Sequence, residues 1–299
     1  MKRAVGFILA FIMTSTFFSC SLNPELDSES GKWGYTYGDG KFTIDPKFDE
    51  AREFENGFAA VRINDKWGFI NENGEEIVAP IYDEVENFES NKFAKVRIGN
   101  KWGFINSVGM CIVKPQFNYV ESFDGSGLAL VRNGYEESAQ WGIVHNSGAI
   151  IISPQFSYIA PFNTNGLAKV RNGDEISGKW GYVNRSGNVI IHPQFDEIGV
   201  FDSNGLVSVS LGGKWGIANI NGEVLVAPQF DEIRSFAPNG LMAFRTADKW
   251  GYVNKSGETV IAPKFEEAFS FDNDGLARVK LGGKYYYIDA SGNVTEPNA

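Results

Sequence analysis

A chain of 299 residues with 43% hydrophobic and 14% aromatic residues can bury a sizeable core. Its formal net charge of −10 sets nucleic acid and anionic lipid heads aside as partners, because phosphate binding needs a basic patch. Beyond the N-terminal region no long apolar run occurs, so the composition describes a body rather than a bundle of membrane spans.

Residues 1–19 read as a signal peptide: Lys2 and Arg3 form a positive start, "AVGFILAFIM" is apolar, and "TSTFFSC" places small polar residues around Cys20. The run falls short of the about 20 apolar residues that a spanning helix needs. Phe17-Phe18-Ser19-Cys20 resembles a bacterial lipobox, with Phe17 standing where that pattern prefers Leu. The resemblance implies that Cys20 is lipidated and becomes the mature N-terminus, with residues 20–30 as a polar, proline-containing tether. More than one acyl chain is what stable anchoring requires. The implied address is the bacterial cell envelope, lipid-anchored, with Ser21 favouring the outer membrane; plain secretion is the alternative. With Cys20 acylated no disulfide framework is available, and Cys111, in "GMCIVKP", is expected to be a small buried hydrophobe.

The remainder of the chain is periodic. Trp33, Trp67, Trp102, Trp141, Trp180, Trp215 and Trp250 are each followed by Gly, and Tyr285 takes the eighth place. Their spacings are 34, 35, 39, 39, 35, 35 and 35 residues. A glycine recurs seven residues after every Trp and a proline thirteen residues after. Such a period marks units that cannot bury their apolar faces alone.

One unit, residues 179–213, shows how each is expected to fold. "KWGYVN" is a strand, and "RSGN" is a turn whose Gly187 needs a positive φ. "VIIHP" returns as a second strand with the proline at its end. "FDEIGVF" alternates as a half-buried third strand, and "SNGLVSVSLGG" supplies a turn and a fourth. Aromatics fifteen and twenty-one residues after each Trp, such as Phe195 and Phe201, are expected to form core rungs between units.

"GKWGYVNRSGNVIIHPQFDEIGVFDSNGLVSVSLGGKWG" resembles the WG (KWG) repeat, found in tandem in bacterial proteins and often behind lipoprotein signals. The likeness runs from about Gly31 to Asn293. It implies a β-rich repeat array and no reaction. The expected fold is therefore all-β, with tandem ~35-residue four-stranded repeats forming an open twisted array over residues 31–299. Seven full units are followed by a half-unit cap, residues 284–294. A closed β-propeller-like ring is the alternative.

Chemistry is expected where the period breaks. The acidic pairs Asp49-Glu50, Asp83-Glu84, Asp196-Glu197, Asp231-Glu232 and Glu266-Glu267 are periodic, and neighbours on a strand point to opposite faces, so they suit a solvated edge better than a glycosidase. His145 and His192 are isolated, without the spacing of a metal site or triad. Turns such as "DNDG" lack the further ligands of a calcium loop, and no metal or cofactor is expected. The aperiodic feature is a pair of four-residue insertions, in "NGYEESAQWG" and "NGDEISGKWG". They carry Glu136, Glu137, Asp174 and Glu175, an acidic patch expected to hold a cationic or protein ligand.

These readings together describe a non-enzymatic, membrane-tethered envelope lipoprotein whose repeat surface binds protein or glycan. The alternatives are an envelope hydrolase on a propeller-like scaffold and a purely structural protein.

Overall fold

The computed structural model describes residues 21–295; the expected signal peptide and Cys20 lie outside them. The described residues hold strands, turns and one short 3-10 turn, Glu136–Ser138, with no α-helix. All sheets are antiparallel, and each is made of strands consecutive in the chain. The sixth is typical: Glu197–Ile198, Leu206–Leu211, Lys214–Asn219 and Val224–Phe230 lie side by side in that order.

This order corrects the expected frame. From the second sheet on, the Trp position marks the third strand, so each of these sheets takes its first two strands from the preceding sequence unit. The stretch "FDEIGVF" contributes only Glu197–Ile198, because two residues are all that reach the next long strand, through Glu197 opposite Ser210 and Ile198 opposite Val209. The shift also changes both ends. Lys284–Ile288 and Val294–Thr295, expected as a half-unit, complete a four-stranded eighth sheet with Glu267–Ala268 and Ala277–Leu281. At the other end, Asn23–Leu26, expected as tether, is a strand paired with Trp33–Thr36 in a three-stranded first sheet completed by Phe42–Phe48. Among the described residues no sheet takes strands from both ends of the chain, the pairing by which a ring would close. The fold is the all-β tandem array of four-stranded repeats that the period predicts.

The chain divides into two compact units, Met1–Gln116 and Phe117–Ala299. In the first, the core lies between successive sheets: Tyr35, Ile44 and Phe48 of the first meet Ala59, Val61 and Ile70 of the second. Phe69, Val78 and Tyr82 of the second then meet Ala94, Val96 and Ile105 of the third. The second unit repeats the pattern, with Ile143, Ile152 and Phe156 of the fourth sheet against Ala168, Val170 and Val183 of the fifth. Aromatic rungs cross these interfaces as expected. Tyr35 packs on Phe54 at 4.8 Å between ring centroids, Phe69 on Phe88 at 4.7 Å, Tyr182 on Phe201 at 4.9 Å and Tyr252 on Phe271 at 4.8 Å.

The sequence signature has a steric cause. Trp180 faces Phe195 and Tyr182 faces Ile191, so two residues on one strand span four on its neighbour, and the surplus forms a bulge at His192-Pro193. The proline is thus inside the seven-residue strand Val189–Phe195 rather than at its end, on a sheet edge and in a bulge, where a missing N–H costs little. The bulge lays its backbone over the glycine after Trp: a Cβ on Gly181 would overlap the Ile191 carbonyl oxygen and sit 2.7 Å from the Pro193 nitrogen. The Trp-Gly pair and the later proline are one steric unit. Gly187, seven after Trp, has φ +84 and presses on the Ile151 carbonyl of the preceding sheet, so it answers both a turn and a sheet contact. Cys111 departs from expectation. It is exposed at the very start of Cys111–Phe117, and burial on that strand begins only at Val113.

Candidate functional site

The periodic carboxylates hold the sheets together. In four of the five acidic pairs the first member reaches the Lys before the preceding Trp: Asp49 pairs with Lys32, Asp83 with Lys66, Asp196 with Lys179 and Asp231 with Lys214. The second oxygen of the same groups accepts backbone N–H groups in the following hairpin turn, from Asn64, Gly99, Gly212 and Ala247 respectively. The lysine hydrogen bond and these N–H groups hold all four carboxyls below the usual carboxylate range.

In four of the five pairs the second member faces a cation across the sheet; Glu197 faces Ser210 instead. Glu50 pairs with Arg62, Glu84 with Arg97 at 2.6 Å, Glu232 with Arg245 at 3.1 Å and Glu267 with Lys280 at 3.6 Å. These cations lie directly opposite the Trp position, so the second sheet carries a row Glu50, Arg62, Trp67, Tyr82.

The fourth and fifth sheets, both in the second unit, break this pattern together. The acidic pair becomes Asn118-Tyr119 in one and Ser157-Tyr158 in the other. The rows now read Tyr119, Arg132, Trp141, Phe156 and Tyr158, Arg171, Trp180, Phe195. Arg132 lies 5.1 Å from the Tyr119 ring centroid and 5.5 Å from Trp141; Arg171 lies 5.8 Å from Tyr158 and 5.3 Å from Trp180. Each Tyr meets its Trp edge-on at 5.9 Å. Ring faces carry negative quadrupole charge, which keeps a guanidinium in place where the carboxylate is gone. Among the described residues neither arginine has a carboxylate at ion-pair distance, and the buried Nε of each lacks a hydrogen-bond partner.

The insertions belong to these same two sheets. They lengthen the hairpin between Leu128–Asn133 and Gln140–His145, and the one between Leu167–Asn172 and Lys179–Asn184. Asn118 and Ser157 replace the aspartate in tying down the longer turns: Asn118 Oδ1 accepts the Gly134 N–H at 3.1 Å, and its amide donates to the Tyr135 hydroxyl at 2.9 Å. Ser157 donates to the carbonyls of Arg171 and Gly173. Gly178 lies against the Arg171 stem, so the second loop walls that arginine.

The four acidic residues read from the sequence fare differently. Asp174 is spent on its own loop: it accepts the Ser177 hydroxyl and the N–H groups of Ser177 and Ile176, which bring its pKa down to about 2. Glu136 begins the 3-10 turn with φ 50 and is exposed, and Glu137 lies within that turn. Glu175 is exposed beside the wholly exposed Ile176. The arginine rows were not singled out from the sequence. Their signal was a loss, of two acidic pairs in the very units that carry the insertions.

Neither histidine forms a cluster. His145 Nδ1 accepts the Ser147 N–H at 3.1 Å, doing the turn-closing work that Asn184 Oδ1 does for Ser186 at 3.1 Å. Among the described residues no group of three or more His, Cys, Asp or Glu could hold a metal ion.

The WG containing repeat family model matches the chain seven times, at residues 33–67, 67–102, 102–135, 141–175, 180–215, 215–250 and 250–285. The matches break at the two insertions and nowhere else between 33 and 285. No curated protein matches the chain. Among solved structures, a eukaryotic initiation factor is similar at 9% identity, over 92% of this chain and 87% of that one, with a TM-score of 0.35. Hsv2p of Kluyveromyces lactis is similar at 11% identity over 82% and 96%, with a TM-score of 0.26. The Dos1 propeller is similar at 12% identity over 90% and 81%, also with a TM-score of 0.26.

Proposed function

Because the chain belongs to the WG containing repeat family, whose repeat matches it seven times between 33 and 285, we propose that it is a non-enzymatic binding scaffold, tethered to the bacterial envelope through Cys20, whose repeat surface takes a protein or glycan. The contact edge is the pair of long hairpins on the fourth and fifth sheets. The observation that carries this reading is the twin loss of the acidic partners of Arg132 and Arg171. Each half-buried guanidinium keeps hydrogen-bonding capacity, with the exposed rings of Tyr119 and Tyr158 beside it. A planar guanidinium suits a carboxylate or sulfate, and a neighbouring ring face suits the apolar face of a sugar or side chain. The acidic patch expected from the loops would suit a ligand of the opposite sign. Against it stands Asp174, already committed to three donors of its own loop. The non-enzymatic reading is supported by the periodic carboxylates, most of which are committed to lysines, arginines and turn N–H groups.

The test is binding to polygalacturonate, a carboxylated polysaccharide, and to a poly-glutamate peptide, with neutral dextran as control. The parent is expected to hold one of the two anions, and R132Q with R171Q to hold it roughly tenfold less tightly. Preference between the polymers separates glycan from protein. Binding to neither polymer, or equal binding by parent and variant, overturns the assignment of this edge.

A further inference from the structure

In three interfaces the residue two after Trp is a tyrosine that does two things. Tyr35, Tyr182 and Tyr252 pack on Phe54, Phe201 and Phe271 of the following sheet at 4.8 to 4.9 Å. Their hydroxyls donate to the carbonyls of Arg52, Gly199 and Phe269 at 2.7 to 2.8 Å. The receiving carbonyl is always seventeen residues on, and the receiving Phe nineteen.

The sixth sheet has Ile217 at this place, and seventeen and nineteen residues on are Arg234 and Phe236. Both line a cavity of about 480 Å³ between the sixth and seventh sheets, within one compact unit. Ile217 and Met242 line it as well, with the hydroxyl-bearing Ser208, Ser235 and Ser270. The fourth sheet, where Ile143 takes the same place, has a smaller cavity of about 220 Å³ lined by Ile143, Ala160 and Phe162. Ile217 is not a simple deletion. Met242 stands where Ala59, Ala94, Ala129, Ala168 and Ala277 stand in other sheets, so part of the lost volume is returned from across the interface, yet the cavity stays open.

We infer that the cavity between the sixth and seventh sheets is a binding site for a phenol, whose ring packs on Phe236 and whose hydroxyl donates to the Arg234 carbonyl, as tyrosines of the chain do in the sister interfaces. The receptor halves are already present and only the phenol side chain is missing. The Arg234 guanidinium is held 4.8 Å from the Trp250 ring and 5.2 Å from Phe269, and so makes a positioned wall rather than a loose plug. A volume of about 480 Å³ falls within the range of small-molecule sites and leaves room for a substituent reaching the serines. The site is separate from the hairpin edge of the fourth and fifth sheets and does not depend on it. The phenol can be a free small molecule or a tyrosine of a partner peptide, since both present the same ring and hydroxyl.

The experiment is titration of the full chain with p-cresol, followed by methyl NMR of Ile217 and Met242 and by calorimetry. Saturable shifts at these two methyls are expected, with toluene, which has the ring without the hydroxyl, roughly tenfold weaker. I217Y with M242A restores the pattern of the sister interfaces and should abolish p-cresol binding while the chain stays folded. A tyrosine-containing peptide that binds as well as p-cresol points to a docked partner, and one that does not points to a free phenol. Toluene binding equal to p-cresol, shifts that avoid Ile217 and Met242, or binding that survives in the folded double variant overturns the inference. The methyl shifts in the parent decide the matter even where the double variant does not fold.

Discussion

Gly222→Ala and Gly40→Ala change the same turn position in two sheets, seven residues after Trp, and should have different costs. Both glycines have positive φ, +87 and +74, so an alanine at either pays the left-handed penalty of roughly 1–2 kcal/mol. At Gly40, in the first sheet, the added Cβ meets nothing within 4 Å. At Gly222 it would overlap the Ile190 carbonyl oxygen of the preceding sheet and lie 3.1 Å from the carbonyl carbon. Backbone cannot rotate away as a side chain can, so overpacking adds about 1–3 kcal/mol. The expected totals are about 1–2 kcal/mol at Gly40 and about 2–5 kcal/mol at Gly222. A repeat array need not unfold in one step, so the assay is native-state hydrogen exchange, where each 1.4 kcal/mol is about a tenfold change in protection. Gly222→Ala should lower protection in its own hairpin and in Val189–Phe195 of the sheet before it; Gly40→Ala should affect its own hairpin alone. Equal losses at both sites, or a Gly222→Ala effect confined to one sheet, would refute the claim that this turn is a contact between sheets.

Other expectations follow from the same geometry. Asp49, Asp83, Asp196 and Asp231 have lowered folded-state pKa values, so their contribution is complete above the ordinary carboxylate range and is lost as pH falls through the depressed values. Exchange of the Asn64, Gly99, Gly212 and Ala247 amides should quicken there, while the Gly134 amide, held by neutral Asn118, should not respond. Trp250→Ala, at a site 5% exposed, should cost about 3–5 kcal/mol in local exchange of the seventh and eighth sheets. Cys20→Ser should move the protein out of the detergent phase if the lipobox reading is right; unchanged partitioning would remove it. E136Q with E137Q and E175Q should strengthen capture of an anionic polymer at low salt, where surface charge is least screened, and weakened capture would return the site to the acidic loops.

The sequence displayed its period plainly because each period position has its own physical task. The glycine at seven was legible as a positive φ, and the aromatics at fifteen and twenty-one as core. The frame was not legible. Trp180 is the most visible residue of its unit and so looks like a beginning, whereas it lies on a third strand whose partner, Leu167–Asn172, precedes it. "FDEIGVF" alternates like a strand, yet alternation reports burial on one face and says nothing of how many residues find a backbone partner. The glycine after Trp was visible without a reason, because the bulge that crowds it is built by a proline twelve residues later. At the candidate site the insertions were found by length. The arginines were missed because Arg132 and Arg171 are ordinary members of the period, and only the residues facing them had changed.

The link between one sheet and the next is a single residue: Phe195 ends one seven-residue strand, Glu197 begins the following sheet, and Asp196 alone lies between them. Such a seam stores no slack. Under tension applied at the N-terminus, a released sheet would hand the load at once to its neighbour, so extension should come in discrete steps instead of a gradual give. A step that frees about 35 residues would lengthen the chain by roughly 12 nm, and one that frees 39 by roughly 13 nm. The two insertions would then appear in an optical trap as two longer steps side by side, a ruler marking the place along the chain where the candidate site lies.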